Sequence, residues 1–170
     1  MMTTLRDLTK SDLETLVRWR CDPRVNRHLS PRLTELEEAE RWLEQVKSNP
    51  SNWLFAICEG EKLIGYAGVE SVHQYHRRCE LAMVIGEPEY WGRGIAGEVI
   101  RAMLKYAFEE LELHRVWAAV VRGNERSERL VKSAGFTYEG TMREAMMISG
   151  EFTDLLHYSI LDREYAALRS

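Results

Sequence analysis

The sequence is short of the features that mark secreted, membrane-bound and nucleic-acid-binding chains. Its three cysteines, Cys21, Cys58 and Cys79, are odd in number and lack metal-ligand spacing. They read as reduced, partly buried thiols of a cytoplasmic protein, not as a disulfide framework. His28, His114 and His157 also lack ligand spacing, so no metal site is expected. No apolar run is long enough to span a membrane, and the opening Met1-Met2-Thr3-Thr4-Leu5-Arg6-Asp7 has no signal-peptide core. Lysine and arginine are scattered under a net charge of −4, so the basic stripe of a nucleic-acid binder is missing. No linker, repeat or low-complexity tract divides the chain.

What remains is ordinary globular composition. With 45% hydrophobic and 29% charged residues over 170 positions, the chain suits one domain, residues 1–170, with a substantial core. Thr3 to Leu8 reads as a first strand. Ser11-Asp12-Leu13-Glu14 has the form of a capping box opening a helix to about Arg20, stopped by Asp22-Pro23. Thr34-Glu35-Leu36-Glu37 repeats that form before an amphipathic helix through Val46. Trp53–Cys58 and Leu63–Val69 make a hairpin about Glu59-Gly60-Glu61. A polar loop from His73 to Arg78 leads into the strand Cys79–Ile85.

The six apolar residues Val116–Val121 predict a central strand covered on both faces. Asn124 caps a helix through Ala134, closed by Gly135 in a left-handed C-terminal cap. Phe136–Met147 and Phe152–Ile160 are the closing strands. The order β-α-α-β-β-β-α-β-α-β-β predicts an α/β (α+β) domain around a mixed sheet.

The stretch from Leu81 to Leu111 organises the rest. A buried strand, Leu81–Ile85, runs into the loop Gly86–Gly97 and then a helix with apolar residues at Val99, Ile100, Met103, Leu104, Ala107, Phe108 and Leu111. Glycines just before a helix leave backbone N–H groups able to face a phosphate, aided by the helix dipole. Gly92-Arg93-Gly94-Ile95-Ala96-Gly97 also spells G-x-G-x-x-G. The dinucleotide context is absent, however: several residues separate the strand from Gly92, and the next strand ends in Arg122, not an acid. A Gly-Lys-Ser/Thr ending is missing as well. A glycine turn without a ligand is the plain alternative.

Three segments carry a resemblance. Trp91-Gly92-Arg93-Gly94-Ile95-Ala96 resembles the acetyl-CoA pyrophosphate loop of the GNAT superfamily of N-acetyltransferases. Asn124-Glu125-Arg126-Ser127 with Lys132-Ser133-Ala134-Gly135-Phe136 is similar to the N-x-x-S…K-x-x-G-F segment of its RimJ/RimL branch, which includes ribosomal-protein N-terminal acetyltransferases. Asp22-Pro23-Arg24-Val25, Glu80 and Gly150-Glu151-Phe152-Thr153-Asp154 fit the same pattern. The resemblance implies a GNAT-like, mostly antiparallel sheet flanked by helices, and acetyl-CoA as co-substrate. Two positions depart from the superfamily. Trp91 stands where many members have Gln or Arg, and Val131 where many have the tyrosine that protonates the leaving thiolate.

Acetyl transfer needs a held cofactor, a polarised carbonyl, a neutral amine and a proton for sulfur. The amides of Gly92, Arg93, Gly94, Ile95, Ala96 and Gly97 can meet the pyrophosphate. The resemblance implies that Met83, Val84 and Ile85 pair with the pantetheine arm as an added strand would, and that a strand amide there stabilises the oxyanion. Asn124 bonds the cofactor arm, with helix capping as its plainer role, and Lys132 reaches the sugar phosphate or stays solvated. Ser127 is the candidate proton donor, a helix cap otherwise. Glu80 is the candidate base, raised in pKa by burial; its plainer role is an edge-strand ion pair with Arg77 or Arg78. His73, His76 and Glu70, placed in the neighbouring loop, are weaker candidates, and Trp19 a candidate for the acceptor pocket. The expected acceptor is a primary amine, a protein or peptide N-terminus first and a small molecule (polyamine, aminoglycoside or amino acid derivative) second. A catalytically silent acyl-CoA-binding module is the rival class, and a homodimer is a family expectation.

Overall fold

The computed structural model describes residues 3–29 and 33–169. β1 (Thr3–Asp7) leads through one 3-10 turn, Lys10–Asp12, into α1 (Leu13–Cys21), followed by the single turn α2 (Pro23–Asn26) and then α3 (Leu36–Ser48). β2 (Trp53–Glu59), β3 (Lys62–His73) and β4 (Arg78–Ile85) form a meander. After the glycine loop come α4 (Ile95–Lys105), β5 (Arg115–Val121), α5 (Glu125–Ser133), β6 (Thr137–Ile148), β7 (Glu151–Leu161) and α6 (Asp162–Ala167). The seven strands form one sheet in the order β1-β2-β3-β4-β5-β7-β6, antiparallel except for β4 with β5. This is the mixed sheet that the order of elements predicts and the mostly antiparallel one that the resemblance implies.

Local details differ where side chains chose other partners. Ser11 and Glu14 do not box the first helix. The Asp12 carboxylate instead accepts from the Thr9 N–H at 2.8 Å and is gripped by the Arg6 guanidinium at 2.7 and 2.8 Å. Thr34 likewise bonds through its N–H to Glu38 at 3.2 Å rather than boxing with Glu37. Asp22-Pro23 ends α1 as expected, and the Asp22 carboxylate caps α2 through the Arg24 N–H. Gly135 has φ +89°, and the Phe136 N–H reaches back to the Val131 carbonyl at 3.0 Å, closing α5 with a Schellman motif.

Two cores sandwich the sheet. On one face α4 buries Ile95, Val99, Ile100, Met103 and Leu104 against Ala67, Val69, Leu81, Val116, Ala118 and Val120. Each such side chain contributes about 2 kcal/mol. On the other face α1 and α3 bury Leu13, Leu16, Trp19, Ala39 and Leu43 against Leu54, Ala56 and Tyr66.

β5 is central, but its two faces are not equally covered. Val116, Ala118 and Val120 lie in the core, whereas Trp117 and Ala119 are half-buried on the opposite face. α1 and α3 pack over the β2–β3 half of that face and leave β5 partly open. An unbroken apolar run therefore conceals a strand that is fully covered on one face and only partly on the other.

Candidate active site

The site is built where β4 and β5 part. Their parallel ladder spans three pairs, Arg78–Arg115, Cys79–Val116 and Glu80–Trp117. Beyond Glu80, β4 continues to Ile85 paired with β3 alone, so its β5-facing edge is left to other donors and acceptors. One is already taken: the Trp91 indole N–H donates to the Ile85 carbonyl at 2.8 Å.

The loop after β4 is anchored from beneath. Glu87, only 4% exposed, accepts from the Trp19 indole at 2.9 Å, with Arg18 as a second donor and the Lys62 Nζ at 3.9 Å. Gly86 lies flat on the Trp19 ring, where a Cβ would sit 2.0 Å from Cδ2. Trp19 is thus a structural post, 2% exposed, and not part of an acceptor pocket. Gly92 and Gly94 have φ of +75° and +83°, with nothing within 4 Å of where a Cβ would lie. Gly94 is the N-cap of α4, so the Ile95 and Ala96 amides begin the helix with no carbonyl a turn earlier to bond. The Gly97 amide is different: it donates to the Gly94 carbonyl at 3.0 Å and is not available to a ligand.

A groove of about 1130 Å³ opens in front of these amides. Of the residues expected to bind cofactor, it is walled by Met83, Val84, Ile85, Gly92, Gly94, Ile95, Ala96, Gly97 and Asn124, and the proposed donor Ser127 lies on the same wall. Arg93 is not on it and stacks on Tyr90, 5.0 Å from the ring centroid. Lys132 is also outside, paired with Glu128 at 3.7 Å and poised over the Tyr158 ring. The Asn124 carbonyl oxygen caps α5 through the Ser127 N–H at 3.2 Å, which leaves its amide nitrogen as the group for a ligand. Val131 is 5% exposed within the core and is not on the groove wall, so it offers no acid for the leaving thiolate.

The positive charge of the wall is assembled only in the fold. Arg24, Arg27, Arg126 and Arg129 line the groove with a single acid, Glu125, in a protein whose net charge is −4. Arg126 crosses from α5 to stack on Trp91, 4.1 Å from its centroid, joining the two lips. His28, also on the wall, is held below its ordinary pKa by burial and then by Arg27 and Arg126. The spacing of Arg126 and Arg129 on α5 was the available signal. Aligned amides, a helix N-terminus and arginines together fit a pyrophosphate-bearing ligand.

Glu80 stands at the fork, three residues and about 10 Å upstream of the groove wall on β4. It lies on a central strand, not an edge, and Arg77 instead donates to the Glu112 carbonyl at 2.8 Å. Burial, then the charge of Glu70, pushes the Glu80 carboxyl up to about 7. Glu70 and His73 belong to β3, not to a loop, and Glu70 is the direct cross-strand partner of Glu80.

A strand fork feeding an amide-lined, arginine-walled groove fits an enzyme that holds an acyl-CoA along the open strand edge. The family described as Acetyltransferase (GNAT) domain matches residues 3–137, and the chain belongs to it. Its relatives include the putative ribosomal N-acetyltransferase YdaF of Bacillus subtilis, 30% identical, covering 84% of this chain and 96% of that protein. They also include the spermidine N(1)-acetyltransferase of Escherichia coli, 29% identical over 65% of this chain and 58% of that protein. Among solved structures, the spermidine N-acetyltransferase of Vibrio cholerae in complex with CoA and spermine superposes with a TM-score of 0.86 at 26% identity, covering 96% and 98% of the two chains. The protein is an acetyl-CoA-dependent N-acetyltransferase, which sets the silent-module reading aside. Among the described residues no cluster able to hold a metal occurs, and no helix is long and apolar enough to cross a membrane.

The loop yields a direct test. Gly94→Val forces a branched side chain into left-handed backbone at a cost of about 1–2 kcal/mol and crowds the amides beside it. Its Kd for CoA by calorimetry should rise at least about tenfold, with far-UV circular dichroism unchanged. A Kd within twofold of wild type would remove this turn from the binding site.

Proposed function

We propose that the chain transfers acetyl directly from acetyl-CoA to a primary amine of a small cationic molecule, of the polyamine kind. The observation that carries this reading is the group of side chains at the fork. Glu70 and Glu80 face the same side of the sheet as Trp117, on which His157 stacks with ring centroids 5.2 Å apart. Paired carboxylates beside aromatic faces attract an ammonium group. The spermidine acetyltransferases among the relatives support the same acceptor class.

In this reading Glu80 takes one proton from the ammonium and the neutral nitrogen attacks the thioester carbon. As the carbon–nitrogen bond forms and the carbon–sulfur bond breaks, Ser127 donates its hydroxyl proton to the departing thiolate and recovers a proton from the amine nitrogen, so that Glu80 alone ends the step protonated. Met83–Ile85 hold the pantetheine arm along the free edge of β4, while the Gly92–Ala96 amides and the groove arginines hold the phosphates.

A protein N-terminus is the second acceptor, favoured by the similarity to a putative ribosomal N-acetyltransferase. A homodimer belongs to the same proposal. It is supported by the apolar side chains of Tyr138, Met142, Met147 and Phe152, which are about half or more exposed along the β6–β7 hairpin.

Thiol release from acetyl-CoA, followed with spermidine, spermine, aminoglycosides and N-terminal peptides, decides among the acceptors. The expected kcat/KM is at least about tenfold higher for a polyamine than for any peptide. The opposite order would establish the N-terminal reading instead.

A further inference from the structure

Directly opposed like charges destabilise a β-pair, and the β3–β4 ladder carries such a pair at Glu70 and Glu80. Both side chains are half-buried, and burial pushes both carboxyls up. Among the described residues no cation draws either back. The pair sits just before a register shift between Glu70 and His73, with Ser71 at φ +53°, an irregularity of the kind that aims side chains beside active sites.

We propose that Glu70 is a positioning residue for acetyl transfer, holding one proton jointly with Glu80 across the β3–β4 pair so that Glu80 remains an effective proton acceptor near neutral pH. The proposal rests on Glu80 being the base. Carboxylates at directly paired strand positions repel when both are ionised, so the pair loses its protons in two separated steps that belong to it as a unit. The first leaves one negative charge, which attracts the ammonium group. The second exposes a carboxylate basic enough to remove a proton from it.

Other ionisable groups face the pair from the surrounding elements. On β3, Tyr66 lies on the same face, with its hydroxyl accepting from Arg20 of α1 at 2.6 Å. On β4, Arg78 stands two residues before Glu80, level with Arg115 of β5. β5 places Trp117 level with Glu80, and β7 supplies His157 against that ring. Arg115 is committed to Glu139 and to the Ser159 hydroxyl. Glu70 is therefore the nearest charge by register and the one that adds to burial in raising the Glu80 carboxyl.

The test is a Glu70→Gln variant, isosteric and expected to fold, with Glu70→Asp as the conservative partner. Titration of ¹³C-labelled glutamate carboxyl groups by NMR, with no acceptor present, should show the upper midpoint moving down by about one unit in Glu70→Gln and returning toward wild type in Glu70→Asp. The acid limb of kcat/KM should move down by the same amount, with a several-fold lower plateau, because the weaker base is deprotonated over a wider range. An unmoved upper midpoint in Glu70→Gln overturns the proposal, whatever happens to activity. A moved midpoint with an unmoved acid limb would uphold proton sharing and remove Glu80 from the role of base, which keeps the two failures apart.

Discussion

Glu80→Gln should lower turnover by at least about a hundredfold at pH 7 and, at the same time, make the folded protein more stable above that pH. The folded-state value of about 7 lies above the ordinary carboxyl value of 4.5. Between those limits the folded chain binds this proton more tightly than the unfolded chain. The contribution of Glu80 to stability is therefore fully present below pH 4.5 and is lost as pH rises through about 7. Allowing for the solvent contact of a half-buried group, the loss is about 1–2 kcal/mol. Wild type should show a falling Tm between pH 5 and 8, and Glu80→Gln a flatter curve that ends a few degrees higher at pH 8. Scanning calorimetry across that range checks it. Parallel curves would mean that Glu80 is not buried as a base, and wild-type turnover in the variant would assign proton removal to a water relay.

Gly86→Ala should be among the most damaging single added methyl groups in the chain. The added Cβ would lie 2.0 Å from the Trp19 Cδ2 and 2.3 Å from Cε3, atoms of a rigid ring that is itself 2% exposed. The ring must move, and with it goes the 2.9 Å bond from its indole to Glu87, the buried carboxylate that anchors the loop. Overpacking and the weakened bond together cost about 3 kcal/mol. For a domain of this size that is a fall in Tm of about 6–12 °C. Acetyl-CoA affinity should fall with it, because the loop that presents the amides starts at this glycine. Gly97→Ala is the control: its Cβ would meet only the Arg101 Nη1, at an ordinary 3.6 Å, and its Tm should stay within about 2 °C of wild type. Equal melting of the two variants would show that the Trp19 post does not hold the loop.

The elements with strong periodicity were legible in advance. The apolar face of α4, the αL glycine that closes α5 and the glycines before α4 each follow from nearest neighbours along the chain. Capping was misread where a carboxylate had a better partner a few residues along the chain than the one the box pattern names. Asp12 is held by Arg6, a residue of a neighbouring strand, so the box formed at Thr9 and not at Ser11. β5 was misread because six consecutive apolar residues give no sign of which face is left open. Glu70 was placed in a loop because a strand rich in polar residues at its end looks like one.

The sequence by itself determined the order of elements, the glycine turn before α4 and the family to which the chain belongs, all encoded over short spans by backbone preference and spacing. Only the tertiary structure decided that β4 leaves β5 after Glu80, that arginines from α2, α5 and the segments beside them converge on one groove, and that Glu70 stands across from Glu80. Those facts depend on strand register and on which helix covers which face, and register is set by the packing of the whole sheet.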